Sequence, residues 1–212
     1  MAQPRIYGGS FEPDNLNNPR TLIAGWVPRG ARVLDVGTGD GVVSRWLRVN
    51  KGCQSVGVEY VAEAAERARP DCRRMLVGSI EDDVVLAQAG AEGPYDSIVF
   101  ADVLEHLVDP WRVLRAVRSF LAPEGRVLLS MPNVAHWIVR LNVLQGRWDL
   151  TEGQIMDSTH LRWFTRRTAI EMARQSGYEI AATATVFKPR FARFWPTLMG
   201  YQTVLNLAPV PA

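Results

Sequence analysis

Between Ala31 and Pro132, five short apolar runs alternate with segments of helical periodicity, and few architectures accept that alternation. The runs are ARVLDVG, CQSVGVEY, CRRMLVGS, YDSIVFA and RVLLSMP. They lack the in-out polar alternation of a half-exposed strand, so both of their faces must be buried. Strands of that kind, with a helix after each, imply a mostly parallel α/β sheet covered by helices on both sides. The intervening segments DGVVSRWLRVN and VAEAAERARP read as helices, the latter stopped by Pro70. EDDVVLAQAG is expected to end at Gly90, and WRVLRAVRSFLAPEG to stay helical as far as its Pro-Glu-Gly. A short helix in PRTLIAGWVPRG, ended by Pro28 and Gly30, precedes the first strand.

After Pro132 the alternation breaks. A long aromatic and arginine-rich insertion, at about residues 133–166, leads to the helix TRRTAIEMARQSG and two closing strands, YEIAATATVF and YQTVLNLAPV. A connection of that length is more often functional than structural. Residues 1–30 read as an N-terminal arm and helix, and 31–212 as one domain, which suits a chain of 212 residues. A net charge of +2 is too small to point to nucleic acid or membrane. Cys53 and Cys72 offer no disulfide framework. No signal peptide is evident and no apolar run approaches the roughly 20 residues of a membrane span, so a cytoplasmic location is expected.

The turn after the first strand, VLDVGTGDG, has glycines at 37, 39 and 41, which let a ligand approach the backbone at the start of a helix. Glu59 closes the second strand about 20 residues further on, where a carboxylate can accept bonds from ribose hydroxyls. A dinucleotide motif would want its third glycine at position 42, which is Val42. Asp35 would also repel a pyrophosphate. A ligand carrying ammonium and sulfonium groups suits the turn better, so charge favours S-adenosylmethionine over NAD.

The stretch ADVLEHLVDP places Asp102, Glu105 and His106 at i, i+3 and i+4, at the carboxyl edge of the fourth strand, where open α/β sheets bind ligands. Three readings compete. Asp102 and Asp109 cap a turn and a helix, and the rest is local structure. Alternatively, His106 accepts a proton from a substrate hydroxyl or serves as a hydrogen-bond partner for the substrate. The third reading is a divalent metal held by Asp102, Glu105 and His106 with His160 of DSTHLRWFT; it is the less favoured one.

Taken together, VLDVGTGDGVVSRWL, VGVEY, VGSIED, YDSIVFADVLEHL and GRVLLSMPN resemble the ordered motifs of class I S-adenosylmethionine-dependent methyltransferases. The resemblance covers about residues 31–187. It implies a Rossmann-like, seven-stranded sheet with an antiparallel last strand, S-adenosylmethionine as cofactor and S-adenosylhomocysteine as product. It further implies that Asp35, Gly37, Thr38 and Gly39 lie along the methionine end. Glu59 would hold the ribose, Tyr60 would lie along the adenine, and Asp102 would stand at the cofactor edge. Ser79 and Ile80 occupy the place of an acid and an apolar residue that receive the adenine; Ser79 departs from the pattern and can accept only a neutral bond there. His106 and His160 are the catalytic candidates. Acid-x-x-Glu-His followed by a second histidine is also similar to metal-dependent O-methyltransferases, including those acting on the terminal ribose of small RNAs, and ubiquinone-pathway O-methyltransferases share a related cluster. In the small-RNA group the first ligand is a glutamate, one methylene longer than Asp102.

The insertion is expected to select the substrate. Its Trp137, Arg140, Arg147, Trp148, Arg162 and Trp163 can stack on rings and pair with phosphate or carboxylate. Trp137, Ile138, Leu141 and Leu144, however, read as the core face of an amphipathic helix. GRWDLTEGQIMDSTHLRWFTRRT resembles methyltransferase domains found beside glycosyltransferases in bacterial surface-glycan pathways, which implies a sugar hydroxyl or carboxylate on a carrier; the expected acceptor is an oxygen of a small or glycan-type, lipid-linked or free, substrate. Near the end, Lys188, Arg190 and Arg193 interleave with Phe191, Phe194 and Trp195; a packed loop is the favoured reading and peripheral membrane contact the other. No broad basic stripe supports nucleic acid. Two rivals from other classes are an NAD-type oxidoreductase and a protein that binds S-adenosylmethionine without catalysis.

Overall fold

The computed structural model describes residues 11–187 and 195–211. Seven strands, β1 (Arg32–Val36), β2 (Gln54–Glu59), β3 (Arg74–Val77), β4 (Tyr95–Ala101), β5 (Leu121–Pro132), β6 (Tyr178–Phe187) and β7 (Gly200–Pro209), form one sheet in the order β3-β2-β1-β4-β5-β7-β6. The pairs among β1 to β5 are parallel, and β7 runs antiparallel between β5 and β6. This is the mostly parallel sheet that the alternation of apolar runs demands, in the Rossmann-like form with an antiparallel last strand that the family resemblance implies. The chain works outward from β1 to β3 and then returns to the other side of β1 for β4. That reversal opens a crevice at the carboxyl ends of β1 and β4.

Consecutive strand residues serve opposite faces, and both faces are buried. Val33, Val99 and Leu128 pack with Ile23 and Ala24 of α1 (Pro19–Trp26) and with Val43 and Leu47 of α2 (Val42–Lys51). Their neighbours Leu34, Ile98, Phe100, Val127 and Leu129 pack on the other face. There they meet Val85 and Ala89 of α4 (Asp83–Ala91) and Val113, Leu114 and Val117 of α5 (Pro110–Val117). Ala169, Met172 and Ala173 of α7 (Arg166–Gln175) complete that layer. The smaller α3 (Ala62–Ala68) sets Ala65 and Ala68 against Met75 of β3. Helix starts follow the capping rules: Asn18 and Pro19 open α1, Asp109 and Pro110 open α5, and Thr165 forms a reciprocal box with Thr168 on α7.

Three sequence expectations are corrected. Helix α4 runs through Gly90 to Ala91 instead of ending there. A Cβ at Gly90 would lie 2.6 Å from the Phe120 ring, so this glycine serves a close contact and not a helix stop. Helix α5 ends at Val117, and after one 3₁₀ turn the chain is already extended from Leu121, which pairs with Tyr95 before Pro123 is reached. The third concerns α6 (Trp137–Leu144), which follows β5 on the crevice side. Trp137, Ile138, Leu141 and Leu144, expected to be core, are all more than a third exposed, and Leu144 is 84 % exposed. The helix docks instead through Val139, which packs with Ile155 and Met156 of the insertion. The last helix, α8 (Pro196–Met199), is a single turn before β7.

Among the described residues no helix is long and apolar enough to cross a membrane. Lys188, Arg190, Phe191, Arg193 and Phe194, named above for membrane contact, lie outside the described residues, as do residues 1–10 of the expected arm.

Candidate active site

One wall of the crevice is built from backbone. Past the end of β1, Gly37 and Gly39 have φ of +70° and +59°. A Cβ on Gly37 would lie 2.5 Å from Cγ2 of Val103, so only glycine lets the turn lie against the segment after β4. The turn is zipped to β2: the Gly37 N–H donates to the Val58 carbonyl at 2.8 Å. The Gly39 N–H donates to Oε2 of Glu59 at 2.8 Å, and the Val61 N–H to its Oε1 at 2.8 Å. Glu59 is thus buried and held by one bond per oxygen, while each carboxylate oxygen can accept more than one. At the far end of the turn Gly41 precedes α2 with no side-chain cap.

Asp35 lies beneath this turn. It is 2 % exposed and accepts from the Ser44 hydroxyl of α2 at 2.7 Å. Burial raises its pKa from 3.8 to about 6, the Ser44 bond only partly opposing this. Thr38 is buried, its hydroxyl donating to the Asp35 carbonyl at 2.7 Å. Tyr60 stands at the end of β2 with 61 % of its surface exposed. Past β3, Ser79 spends its hydroxyl as an acceptor for the Glu81 N–H at 3.1 Å, and Ile80 is buried beside it in the core.

The opposite wall is built from side chains. Asp102, just past β4, holds a φ of +59°, a conformation few residues other than glycine adopt. Its Oδ1 accepts from the Ser130 hydroxyl of β5 at 2.7 Å and from Gln202 Nε2 of β7 at 2.8 Å. Val103, the residue touching Gly37, then leads into a 3₁₀ turn, Leu104–His106. Glu105 is 2 % exposed, and neither carboxylate oxygen has a hydrogen-bond partner among the described residues. Burial first, then the charges of Asp102 and Asp157, push its pKa well above the ordinary carboxylate value.

The insertion closes over this turn. The Leu161 and Arg162 N–H groups donate to the Glu105 carbonyl at 2.8 and 3.0 Å, and Arg162 Nε donates to the Val108 carbonyl at 3.0 Å. His160 is thereby set against His106, ring centroids 4.8 Å apart and planes at 69°. Burial lowers the pKa of both imidazoles, so both are neutral at neutral pH. One ligand atom each from Glu105, His106 and His160 lie within 4.8 Å of one another, a donor set able to hold a metal ion; Asp102 is outside that group. His160 also meets Trp163 edge-on at 5.4 Å, and Trp163 meets Trp148 in the same way at 5.4 Å.

The structure therefore brings Glu59 to the glycine turn and joins His106 to His160. Asp157, Thr159, Ser130 and Gln202 take part in the second wall and were not singled out from sequence. Asp157 and Thr159 carried a faint signal as an Asx-type turn in DSTH; Ser130 and Gln202 carried none, since their roles arise only from strand register. The arginines of the insertion are partly spent within it, with Arg147 paired to Asp149 and Arg140 Nε bonded to the Ala135 carbonyl at 2.7 Å.

Comparison with known proteins identifies the family and the fold. A family described as a methyltransferase domain matches residues 12–183. A ubiquinone biosynthesis O-methyltransferase of Xanthomonas axonopodis pv. citri is 36 % identical over 112 residues, covering 50 % of this chain and 45 % of that one. Its counterpart in Neisseria meningitidis serogroup C is 29 % identical over 165 residues, covering 73 % of this chain and 66 % of that one. The matched region thus spans from about half to two thirds of these relatives' length. A TehB-like S-adenosylmethionine-dependent methyltransferase of Corynebacterium glutamicum superposes with a TM-score of 0.59 at 20 % identity, covering 92 % of this chain and 89 % of that one. The 1,6-didemethyltoxoflavin-N1-methyltransferase of Burkholderia thailandensis, crystallised with its substrate and S-adenosylhomocysteine, gives 0.62 at 17 % identity, covering 93 % and 80 %. At those identities the structural likeness speaks to the fold alone.

Proposed function

Because the chain belongs to the methyltransferase-domain family, with the class I S-adenosylmethionine-dependent fold, we propose that it methylates an oxygen of a small or glycan-type acceptor, free or lipid-linked. The observation that carries this reading is the meeting of two neutral imidazoles, His106 and His160, on a turn that touches the glycine loop through Val103.

The glycine wall fits the cofactor. Positive-φ glycines leave room where any side chain would intrude, and Glu59 is fixed in place with acceptor capacity remaining for ribose hydroxyls. S-adenosylmethionine, when bound, supplies a methyl group already activated by a positively charged sulfur. What remains for the protein is alignment, exclusion of water and, for a neutral hydroxyl, a place for its proton. His106 supplies that place: a neutral imidazole accepts the hydroxyl proton as the oxygen commits its electron pair. Trp148 and Trp163 offer ring faces beside His160 on which a sugar or aromatic acceptor can rest. The relatives' printed activity, O-methylation in ubiquinone biosynthesis, supports oxygen as the acceptor atom.

A second reading has its own observation: the buried Glu105 carboxylate, without a hydrogen-bond partner among the described residues, beside the two imidazoles. A divalent cation there would draw these three side chains together and favour ionisation of an acceptor hydroxyl. Glu105, His106 and His160 would hold it.

The test begins with calorimetry and ends with transfer. S-adenosylmethionine is expected to bind and NADH not to; NADH binding alone would remove the proposal. Transfer is then followed on a panel of sugar, lipid-linked sugar and phenolic acceptors, before and after chelation. Activity that survives a chelator supports the base reading. Activity that disappears and returns with added magnesium, manganese or zinc supports the metal reading.

A further inference from the structure

The two imidazoles are wired differently, and the wiring assigns roles to residues outside the reacting set. The Thr159 hydroxyl donates to Oδ1 of Asp157 at 2.6 Å, a short bond to a carboxylate that is 1 % exposed. Asp157 is locked in place by the N–H groups of Thr159, at 2.8 Å, and of Gly153. A hydroxyl has one proton. With that proton committed to a buried carboxylate, Thr159 Oγ1 can only accept from its other neighbour, Nδ1 of His106 at 3.1 Å. The Thr159 carbonyl, 3.3 Å from the same Nδ1, can only accept as well. Both contacts require His106 to carry its proton on Nδ1. His160 meets the same condition by simpler means, its Nδ1 lying 3.0 Å from the Ile155 carbonyl.

We propose that Asp157, acting through Thr159, is a positioning residue that fixes His106 as the Nδ1–H tautomer, so that Nε2 is the nitrogen that accepts the substrate proton or donates to a cation. The inference rests on the reading of His106 as a reacting group and extends it. A neutral imidazole without such a partner samples both tautomers and can rotate about its bond to the backbone. The insertion removes that freedom from a residue that belongs to the sheet edge 53 positions earlier in the chain. Asp157 contributes no reacting atom; it dictates which nitrogen faces the chemistry.

The experiment uses the full chain labelled with ¹⁵N-histidine, read by two-bond ¹H–¹⁵N correlation at a pH where the imidazoles are neutral, together with steady-state kinetics. Wild type is expected to show His106 as a single Nδ1–H tautomer. Thr159→Val keeps the side-chain volume, and Thr159→Ser keeps the hydroxyl. The valine variant, which keeps only the longer 3.3 Å contact to the backbone carbonyl, is expected to give a mixed tautomer and a roughly 10-fold lower kcat, with KM for S-adenosylmethionine within about 2-fold. The serine variant is expected to restore both spectrum and kcat. Asp157→Asn, which keeps shape and loses charge, is expected to resemble the valine variant. An Nε2–H tautomer in wild type overturns the proposal, and so does an unchanged spectrum in both Thr159→Val and Asp157→Asn, whatever the rates. Absence of methyl transfer by wild type would overturn the functional reading instead and leave the spectrum to decide this one.

Discussion

The two walls of the crevice are made in different ways. The glycine wall is local: β1, its turn and the end of β2 span fewer than thirty residues, and the parallel register that sets Val36 beside Val58 brings Gly39 to Glu59. Apart from Asp35, which accepts from the Ser44 hydroxyl, its polar groups are bonded by backbone. The histidine wall draws on the ends of β4 and β5, the insertion and β7, and it leaves a buried carboxylate without a partner among the described residues. A wall with its backbone bonds satisfied suits holding a ligand unchanged, whereas unsatisfied and uncharged titratable groups suit chemistry. The difference predicts a division of labour, with affinity on one side and turnover on the other.

The largest expected effect tests turnover. His106→Ala should lower kcat by about 100- to 10,000-fold, the range for losing a positioned proton acceptor, and leave the affinity for S-adenosylmethionine within about 3-fold. Calorimetry and single-turnover transfer measure the two quantities separately. Loss of affinity in step with kcat would mean that the walls do not divide the work.

The glycine wall contains one exception to its satisfied character, and the exception titrates. Asp35 has a folded pKa of about 6 against an ordinary 3.8, so its charged form is disfavoured by folding. The cost is fully present above pH 6, shrinks as pH falls through the folded value, and is gone below the unfolded one. At about 1.4 kcal/mol per pH unit the penalty is at most roughly 3 kcal/mol. Asp35→Asn should therefore raise the urea midpoint at pH 7.5, with the advantage over wild type vanishing near pH 4. A pH-independent difference would show that Asp35 ionises without penalty. A more stable variant that binds the cationic cofactor less well would explain why a buried charge is kept there.

Glu59→Gln isolates affinity. The amide keeps the shape but loses the charge, and one of its two former acceptors becomes a donor facing an N–H. Hydrogen bonds to a charged group are worth about 1.5–3 kcal/mol, so the dissociation constant should rise about 10- to 100-fold. At saturating cofactor kcat should stay within a few-fold of wild type. A fall in saturated kcat as large as that of His106→Ala would place Glu59 in the chemistry.

Legibility from sequence follows the same division. The glycine loop, Glu59 and the mostly parallel α/β class are readable because each rests on continuous segments: glycine spacing, an acid at a strand end, apolar runs alternating with helices. The pairing of His106 with His160 was approachable, since both stood in motifs. The parts carried by Ser130 and Gln202 were not, because a hydrogen bond across 28 or 100 positions leaves no local trace, and the local Asx-type turn of Asp157 and Thr159 does not tell that it reaches His106, 53 positions away. Gly90 shows the converse failure: a glycine that reads locally as a stop is there because Phe120 needs its space.

The smallest effect concerns α6, where helical periodicity predicted a core face and the structure exposes it. Periodicity reports that one side of a helix is apolar; it does not say that the protein covers that side. With its side chain exposed, Leu144→Ala should change stability by no more than about 0.5 kcal/mol. Val139→Ala, which removes buried carbon, should cost about 1.5 kcal/mol at roughly 0.8 kcal/mol per buried methylene equivalent. Urea midpoints of the two variants measure the contrast directly. Equal losses would restore the core reading of α6. A silent Leu144 would leave an apolar stripe at the carboxyl edge of the sheet with no task in folding. Its effect should then be sought in transfer to acceptors that carry a lipid, which Leu144→Ala should slow, against polar acceptors, which it should leave unchanged.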